Sequence, residues 1–309
     1  MILLIGYGFW GKNLARNFGS SLSAVYDLDY IRAEECKKLY PWIRAYEGGD
    51  NLEDILKNSD IKAVAIATRA DTHFEFAKLC LSYNKDLWIE KPVTTNLKDI
   101  NELIKLQKQN IVFVDHTFCY HPAVLGMKEV NIGKPLYYDS TRISLGQFQE
   151  DVDVVLDLAI HDLSIIDFLY PELELDERHI IKHNHITTQS NQAIIDLKFK
   201  NKLPGSHRAF TAHIHSNWVS PVKKRRIILT GSEKSVIYDD IDIDKLKIYD
   251  TGNIGTDYNQ NQLGDVSIPK INTTEALRNG YLHFLDCIQK RVQPRTNLQR
   301  ARKILSWVL

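Results

Sequence analysis

The chain opens with MILLIGYGFWGKNLARNF (residues 1–18), and this stretch decides how its first part folds. The apolar run before Gly6 predicts a short buried strand, and the residues after Gly11 predict the start of a helix. Between them, Gly6, Gly8 and Gly11 form the spacing G-x-G-x-x-G. In such a turn the first glycine permits a tight bend, the second lets the backbone approach a pyrophosphate, and the third allows close packing of the helix. The helix N-terminus would offer free N–H groups to the anion.

The same glycine spacing occurs in ordinary turns, so its meaning depends on the segments that follow. Strand and helix patterns alternate up to about residue 118, which predicts a parallel sheet with right-handed crossovers and the strand order 3-2-1-4-5-6. The predicted strands are Ile2–Ile5, Ser23–Tyr26, Trp42–Tyr46, Ala63–Ala67, Leu87–Ile89 and Ile111–Val114. The predicted helices are Lys12–Phe18, Ile31–Leu39, Leu52–Lys57, Thr72–Tyr83 and Leu97–Gln107.

The pattern changes after about residue 118, where strands follow one another without helices between them. Successive strands of this kind predict a mostly antiparallel sheet. We therefore expect an α/β chain with a doubly wound Rossmann domain over residues 1–118 and an α+β domain with an open antiparallel sheet over 119–309. The predicted strands are His179–Thr187, Ala193–Phe199, Arg208–His215, Arg225–Thr230, Ser235–Tyr238 and Lys245–Tyr249, and the predicted helices are Val155–Tyr170, Thr273–Arg291 and Leu298–Val308.

Composition excludes several classes of protein. The chain has 39 Lys and Arg against 39 Asp and Glu, so its net charge does not favour a nucleic-acid or membrane partner. Its apolar runs fall short of the roughly 18 residues of a membrane span, and the N-terminal run is too short for a signal peptide. The four cysteines lie far apart in the sequence, which is typical of a reduced protein without a zinc or disulfide framework. We expect a cytoplasmic protein.

A carboxylate follows the second predicted strand. Asp27 lies 21 residues after Gly6, where an acid would accept hydrogen bonds from the adenosine ribose and repel a 2′-phosphate. It therefore favours NAD over NADP, although nearby Arg32 would suit a phosphate, and a surface turn is the alternative. Thr68 ends the fourth strand at the edge where ligands bind in such sheets. The expected cofactor contacts are Gly6, Gly8, Phe9, Trp10, Gly11, Asp27, Thr68, Glu90 and Lys91.

The fifth predicted strand ends in Glu90-Lys91-Pro92. A lysine at the carboxyl edge of a parallel sheet points into the ligand crevice. Pro92 stiffens the turn, and a cis bond is an option at this proline. The tripeptide is common in loops, but its place after this strand makes it specific, and Lys91 becomes a candidate for substrate and cofactor contacts.

A second group of chemical side chains lies in DVDVVLDLAIHDLSIIDFL (residues 151–169). On a helical period, Asp157, His161 and Ser164 share one stripe. A carboxylate one turn before a histidine can hydrogen-bond to it and fix its tautomer, which suits proton transfer from a hydroxyl group. The alternative is a helix-capping aspartate beside a partly exposed histidine.

Together these motifs resemble the Gfo/Idh/MocA family, named for glucose–fructose oxidoreductase and inositol dehydrogenase. The resemblance rests on the glycine triplet, Glu90-Lys91-Pro92 and DLAIHDLSIIDFL, and GYGFWGKNLARNF, DHTFCYHPAV and DLAIHDLS resemble a branch that acts on nucleotide-linked sugars, the nucleotide-sugar 3-dehydrogenases. It implies catalytic roles for Asp157 and His161. The family carries an aspartate three residues after the histidine, where this chain has Ser164, and Asp162 is the candidate substitute.

Other candidates are less specific. The resemblance places substrate or nicotinamide contacts near His116, Tyr120 and His121, although interdomain packing explains each of them equally well. Arg142 suits either an anionic substrate or a cross-strand salt bridge. The histidine pairs in HNH (183–185) and HIH (213–215) are typical of one face of a sheet, and without a carboxylate or cysteine at ligand spacing we expect no metal site.

These observations predict an NAD-dependent oxidoreductase that interconverts a secondary alcohol and a ketone of a sugar, with NADP the less favoured cofactor. Lys91, Asp157 and His161 are the expected catalytic residues, and Tyr120, His121 and Arg142 complete the expected substrate contacts. The resemblance implies a homo-oligomer, a dimer or a tetramer. The alternatives are a dehydrogenase of a free sugar or polyol, and a non-catalytic sensor of NAD or sugar with the same fold.

Overall fold

The computed structural model describes residues 1–146, 148–200, 209–251 and 264–309, which form two compact units. One unit contains Met1–Thr117 together with Ala276–Trp307, and the other contains Phe118–Glu275. Within the described ranges, no helix is both long and apolar enough to cross a membrane.

The first unit contains a six-stranded parallel sheet in the order β3-β2-β1-β4-β5-β6, as predicted. Its central strands are buried on both faces because helices cover the sheet on each side. The strands are β1 (Ile2–Ile5), β2 (Leu22–Asp27), β3 (Arg44–Glu47), β4 (Ala63–Ile66), β5 (Asp86–Glu90) and β6 (Val112–Asp115). The helices between them are α1 (Phe9–Phe18), α2 (Tyr30–Leu39), α3 (Leu52–Lys57), α4 (His73–Ser82) and α5 (Leu97–Leu106).

Two C-terminal helices, α8 (Ala276–Lys290) and α9 (Leu298–Ser306), belong to this first unit. Phe284 of α8 packs edge-on against the indole of Trp88 on β5, with ring centroids 5.7 Å apart. The guanidinium of Arg291 also bonds to the carboxylate of Asp86 at 2.6 Å. The predicted division at residue 118 placed these helices in the second domain. Amphipathic periodicity shows that a helix has a buried face, but it does not show which element that face packs against.

The second unit is built on an eight-stranded sheet in the order β14-β13-β12-β11-β7-β10-β9-β8. Every pair is antiparallel except β7 with β10, which confirms a mostly antiparallel α+β domain. The strands are β7 (Pro135–Leu145), β8 (Leu175–His183), β9 (Gln192–Phe199), β10 (Phe210–Asn217), β11 (Val219–Gly231), β12 (Lys234–Asp239), β13 (Leu246–Asp250) and β14 (Val266–Ser267). Two α-helices, α6 (Pro122–Glu129) and α7 (Ile160–Leu169), lie among them.

Some elements of this unit differ from the predictions. Helix α6 and the strand β14 were not predicted, and β8 begins four residues before the predicted start at His179. Most β8 side chains are exposed, so the strand lacks the hydrophobic alternation that marks a half-buried strand. Residue 208, the predicted start of the third strand, lies outside the described residues. So do residues 252–263, which belong to a stretch (251–269) whose Gly, Asn and Asp residues predict a long loop.

Candidate functional site

The turn between β1 and α1 has the backbone geometry that its glycines predict. Gly6 adopts a φ of +93°, and a Cβ atom there would lie 2.8 Å from the carbonyl oxygen of Ala67. A Cβ atom on Gly11 would overlap the carbonyl oxygen of Gly6. At Gly8, by contrast, an added Cβ atom has no described atom within 4 Å. Two glycines therefore serve close packing, whereas the second leaves the backbone open to a ligand.

The N-terminus of α1 is suited to an anion. Gly8 is its N-cap residue, no side chain of the described residues caps the helix, and the first turn carries no acidic group. The terminal N–H groups of a helix need partners, and a phosphate supplies them. Phe9 is 82% exposed and its ring lies 5.9 Å from that of Trp10, so an aromatic pair borders this helix end.

Asp27, the last residue of β2, is buried and turned towards the glycine turn. Its Oδ2 accepts a 2.6 Å hydrogen bond from the Tyr7 amide, and its Oδ1 accepts a 2.9 Å bond from the Asp29 amide. A carboxylate has about four acceptor sites, so hydroxyl donors can still be accommodated. Arg32 lies 3.6 Å from Asp29, where it forms a half-exposed ion pair.

His73 connects two loops at the carboxyl edge of the parallel sheet. Its Nε2 lies 3.1 Å from the carbonyl oxygen of Thr68, and its Nδ1 lies 2.8 Å from the carbonyl oxygen of Pro92. The ring is almost completely buried, so His73 is a structural link between the two loops. The Lys91–Pro92 peptide bond is cis, and the hydroxyl of Thr68 bonds to that of Thr72 at 2.7 Å.

Lys91 directly follows Glu90, which is one of two buried carboxyl groups at this edge of the sheet. Glu90 and Asp115 are register partners at the carboxyl ends of β5 and β6, and the Thr117 hydroxyl donates to Asp115 at 2.8 Å. Burial raises the pKa of Asp115 to about 6 and raises the pKa of Glu90 well above its usual range, with Asp115 adding to the shift. Burial, followed by the charge of Lys91, lowers the pKa of His116 to about 3. Two carboxyl groups with raised pKa values and a neutral imidazole thus accompany the lysine.

In the second unit, the segment that carries Asp157 and His161 is not a continuous α-helix. Residues Val155–Ala159 form a π-helical turn, and α7 starts directly after it. The carboxylate of Asp153 caps the segment by accepting hydrogen bonds from two backbone N–H groups of its first turn, each at 3.0 Å. A helical segment therefore lies where the sequence predicts one. Its period is not 3.6 residues throughout, because the turn that contains Asp157 is π-helical. Single π-turns of this kind occur frequently at functional sites.

The sequence analysis missed a partner of Asp157. The indole Nε1 of Trp218, in the turn between β10 and β11, donates a 2.9 Å hydrogen bond to Asp157 Oδ2. Trp218 is 1% exposed. The available signal was a tryptophan in an otherwise polar stretch, HSNWVS (215–220), where an indole N–H needs an acceptor when it is buried.

Arg142 forms a buried ion pair with Asp162. Its Nε donates to Asp162 at 2.8 Å, a second guanidinium nitrogen lies 3.3 Å from the same carboxylate, and the Tyr138 hydroxyl donates to it at 3.1 Å. Both ionic partners are almost inaccessible. This pair joins β7 to α7, and it is the role that the structure supports for Arg142 in place of a contact to an anionic substrate. Asp162 is likewise an internal partner rather than a substitute for the missing third carboxylate.

An aromatic ring connects this ion pair to His161. The Arg142 guanidinium carbon lies 4.3 Å from the centre of the Phe118 ring, and the His161 ring packs edge-on against the same ring at 4.9 Å. The Ser164 hydroxyl, at the position of the family's third aspartate, donates to the His161 carbonyl oxygen at 2.7 Å. His161 is therefore held by its neighbours within this unit.

Tyr120 and His121 precede α6. Tyr120 is buried, and His121 Nδ1 accepts a 3.2 Å hydrogen bond from the Ala123 amide as the helix cap. This bond leaves the proton of the neutral ring on Nε2, which lies 4.0 Å from Asp240. Burial lowers the pKa of His121 and so favours the neutral ring.

The remaining candidates have structural partners. Arg225, in the basic run 223–226, pairs with Asp240 at 3.2 Å, and His213 pairs with Asp196 at 2.6 Å across the sheet. The rings of His183 and His185 stack on each other. Among the described residues, no three His, Cys, Asp or Glu side chains are grouped as a metal site requires.

Comparison with known proteins points to one family. Residues 1–117 match the Gfo/Idh/MocA family model, described as an oxidoreductase family with an NAD-binding Rossmann fold. A UDP-N-acetylglucosamine 3-dehydrogenase from Acidithiobacillus ferrooxidans is 28% identical over 57% of this chain and 56% of its own length. An inositol 2-dehydrogenase from Acidothermus cellulolyticus is 25% identical over 54% of this chain and 52% of its own length. The matched regions thus span about half of each relative.

The fold extends the similarity over the whole chain. The solved structure of the Acidithiobacillus ferrooxidans enzyme superposes with a TM-score of 0.85, covering 99% of this chain and 94% of the other. The sequence identity of that superposition is 22%, so it establishes a shared fold.

The buried pair of Arg142 and Asp162 generates a stability prediction. Arg142→Met leaves a buried carboxylate without its ionic partner, and we expect the free energy of unfolding to fall by about 3–5 kcal/mol. The double variant Arg142→Met, Asp162→Leu should regain most of this loss. Urea unfolding of each variant measures the effect. Lys57→Met, which removes an exposed partner of Asp54, is the control. Equal losses of unfolding free energy in Arg142→Met and Lys57→Met would contradict this interpretation of the buried pair.

Proposed function

We propose that the chain is a member of the Gfo/Idh/MocA oxidoreductase family and that it is an NAD-dependent dehydrogenase or reductase acting on a secondary alcohol of a sugar. The main observation behind the proposal is the uncapped N-terminus of α1 above the open backbone of Gly8, with the Asp27 carboxylate bonded to the same turn. This arrangement of amides and acid is suited to a dinucleotide.

The described residues of the first unit fit NAD. The turn formed by Gly6, Gly8 and Gly11 would hold the pyrophosphate, and Asp27 would accept hydrogen bonds from the adenosine ribose. Phe9, Trp10, Thr68 and Glu90 are proposed as further contacts. When bound, the nicotinamide supplies a hydride acceptor or donor. A 2′-phosphate would place negative charge beside Asp27, and Arg32, five residues further along the chain, is already paired with Asp29. These contacts support NAD over NADP.

The proposed catalytic groups are Lys91, His161 and Asp157. In the oxidation direction, His161 accepts the hydroxyl proton while the hydrogen on the same carbon leaves with its electron pair, so that the carbon–oxygen bond becomes a carbonyl. The ammonium group of Lys91 orients the hydroxyl and stabilises the negative charge that develops on its oxygen. Asp157 orients His161. Reduction reverses each transfer.

We propose that the substrate is a nucleotide-linked hexose, carrying an N-acetyl group or a carboxylate, that reacts at C3 or C4. The support is the likeness to a UDP-N-acetylglucosamine 3-dehydrogenase, in sequence over about half of each chain and in fold over almost all of this one. Tyr120 and His121 remain proposed substrate contacts. The competing candidate is a free sugar or polyol, which the similarity to an inositol 2-dehydrogenase favours. We also propose a homo-oligomer.

The choice of cofactor is tested by titration with NAD and with NADP. We expect the unmodified protein to bind NAD more tightly, because Asp27 repels a 2′-phosphate. Asp27→Ser should narrow the difference between the two affinities. Asp54→Ser, which removes an exposed acid of the same unit paired with Lys57, is the control and should leave the ratio unchanged. Equal or tighter binding of NADP by the unmodified protein would refute the assignment of Asp27.

The catalytic assignment is tested by Lys91→Ala and His161→Ala. We expect His161→Ala to lower kcat by about 10²–10⁴-fold, the usual contribution of a proton-transfer group, and Lys91→Ala by about 10²–10³-fold, the usual contribution of a donor to developing charge. The affinity for NAD should stay nearly unchanged, because neither residue is assigned to the adenosine half of the cofactor. The pH profile of kcat/KM should show a basic group that His161→Ala abolishes.

Two surface variants serve as controls for the catalytic test. Lys78→Ala removes an exposed lysine paired with Glu102, and His179→Ala removes an exposed histidine of β8. Both should retain the kcat of the unmodified protein. Unchanged turnover in Lys91→Ala or His161→Ala would show that the assigned residues are wrong.

The substrate class is tested by comparing kcat/KM for UDP- and dTDP-linked hexoses with kcat/KM for the same free sugars and for inositols. We expect the nucleotide-linked compounds to react with the larger kcat/KM, because contacts with a remote nucleotide contribute to transition-state binding. If the free compounds react equally well, the nucleotide contributes nothing and this assignment fails. If no compound reacts while NAD still binds, the non-catalytic sensor becomes the better interpretation.

A further inference from the structure

Trp218 is fixed by residues that adjoin the end of β7 and the start of β9. Its backbone N–H donates to the Asn191 carbonyl oxygen at 2.9 Å, and its own carbonyl oxygen accepts from the Gly146 amide at 3.1 Å. Its indole packs edge-on against Phe148, with ring centroids 6.1 Å apart. The side chain is 1% exposed, so its orientation is determined by the side chains packed around it.

From this position the indole reaches the segment that carries the proposed proton acceptor. Its N–H bonds to Oδ2 of Asp157, which lies in the π-helical turn directly before α7. A π-turn places its side chains at different angles from an α-helix, so the Asp157 rotamer cannot be inferred from helical period alone. A donor on a separate, buried segment fixes that rotamer.

We propose that Trp218 is a positioning residue for the reaction, which acts by holding the Asp157 carboxylate in one orientation in the turn that precedes His161. This inference rests on the proposed function, because it takes Asp157 and His161 as the proton-transfer pair. A neutral donor is suited to this task. It orients the carboxylate without neutralising its charge, whereas a lysine or arginine at the same place would compete with the imidazole for the carboxylate.

Trp218→Phe tests the proposal because it keeps an aromatic ring in the core and removes the N–H. We expect kcat to fall about 10–100-fold, a loss comparable to that of a hydrogen bond to an ionised group, while KM and the dissociation constant of NAD change little. Trp42→Phe is the control, since the Trp42 indole donates to a backbone carbonyl in the first unit. That variant should keep the full kcat.

A double-variant cycle separates positioning from general support of the fold. If Trp218 acts through Asp157, then Trp218→Phe should have little further effect on kcat in an Asp157→Asn background. If Trp218 only supports the fold, the fold-decreases in kcat of Trp218→Phe and Asp157→Asn should multiply in the double variant. Unchanged kcat in Trp218→Phe, or multiplied losses in the double variant, would overturn the proposal even if His161→Ala confirms the reaction itself.

A spectroscopic measurement needs neither turnover nor the folding of Trp218→Phe. The chain has five tryptophans, so an amide correlation spectrum with ¹⁵N shows five indole signals, and that of Trp218 is assigned through its contact with Phe148. Asp157→Asn replaces the charged acceptor, and we expect it to shift the Trp218 signal and to leave the Trp42 signal unmoved. An unmoved Trp218 signal would show that the bond is absent in solution, whatever the fate of the proposed function.

Discussion

The close approach of α1 to the turn after β1 is the constraint on which the first unit depends. A Cβ atom on Gly11 would overlap the carbonyl oxygen of Gly6, and a Cβ atom on Gly6 would crowd the carbonyl of Ala67. Only glycine permits this packing, which brings the helix N-terminus to the carboxyl edge of the sheet. The same turn donates an amide to Asp27, so the helix end and the acid are fixed relative to each other. Cofactor geometry in this unit is therefore a consequence of backbone packing.

The second unit depends on a different interaction. Burying Arg142 and Asp162 removes both charges from water, so each requires the other, and their geometry fixes α7 against β7. Because Phe118 lies against both the guanidinium and the His161 ring, the ion pair also limits where the imidazole can lie. A charged pair that resembles a substrate site in the sequence thus serves as internal support for the candidate catalytic residue.

Sequence reasoning succeeded where local rules determine the structure. The glycine spacing, the alternation of strands and helices and the position of Asp27 follow from short segments, and the parallel strand order is confirmed. It failed where partners are distant in the chain. Trp218 lies 61 residues from Asp157, His73 is fixed by a carbonyl 19 residues away, and the helix containing Phe284 joins a sheet formed by residues before 118. The π-turn at Asp157 was also missed, because an amphipathic pattern does not distinguish it from an α-helix.

The central proposal is that Lys91 and His161 are both catalytic residues of the proposed reaction. Measuring kcat/KM for Lys91→Ala, His161→Ala and the double variant tests this claim most directly. Residues that act together in a transition state give strongly non-additive losses, so the double variant should be little worse than the poorer single variant. A loss in the double variant equal to the product of the two single losses would contradict the claim.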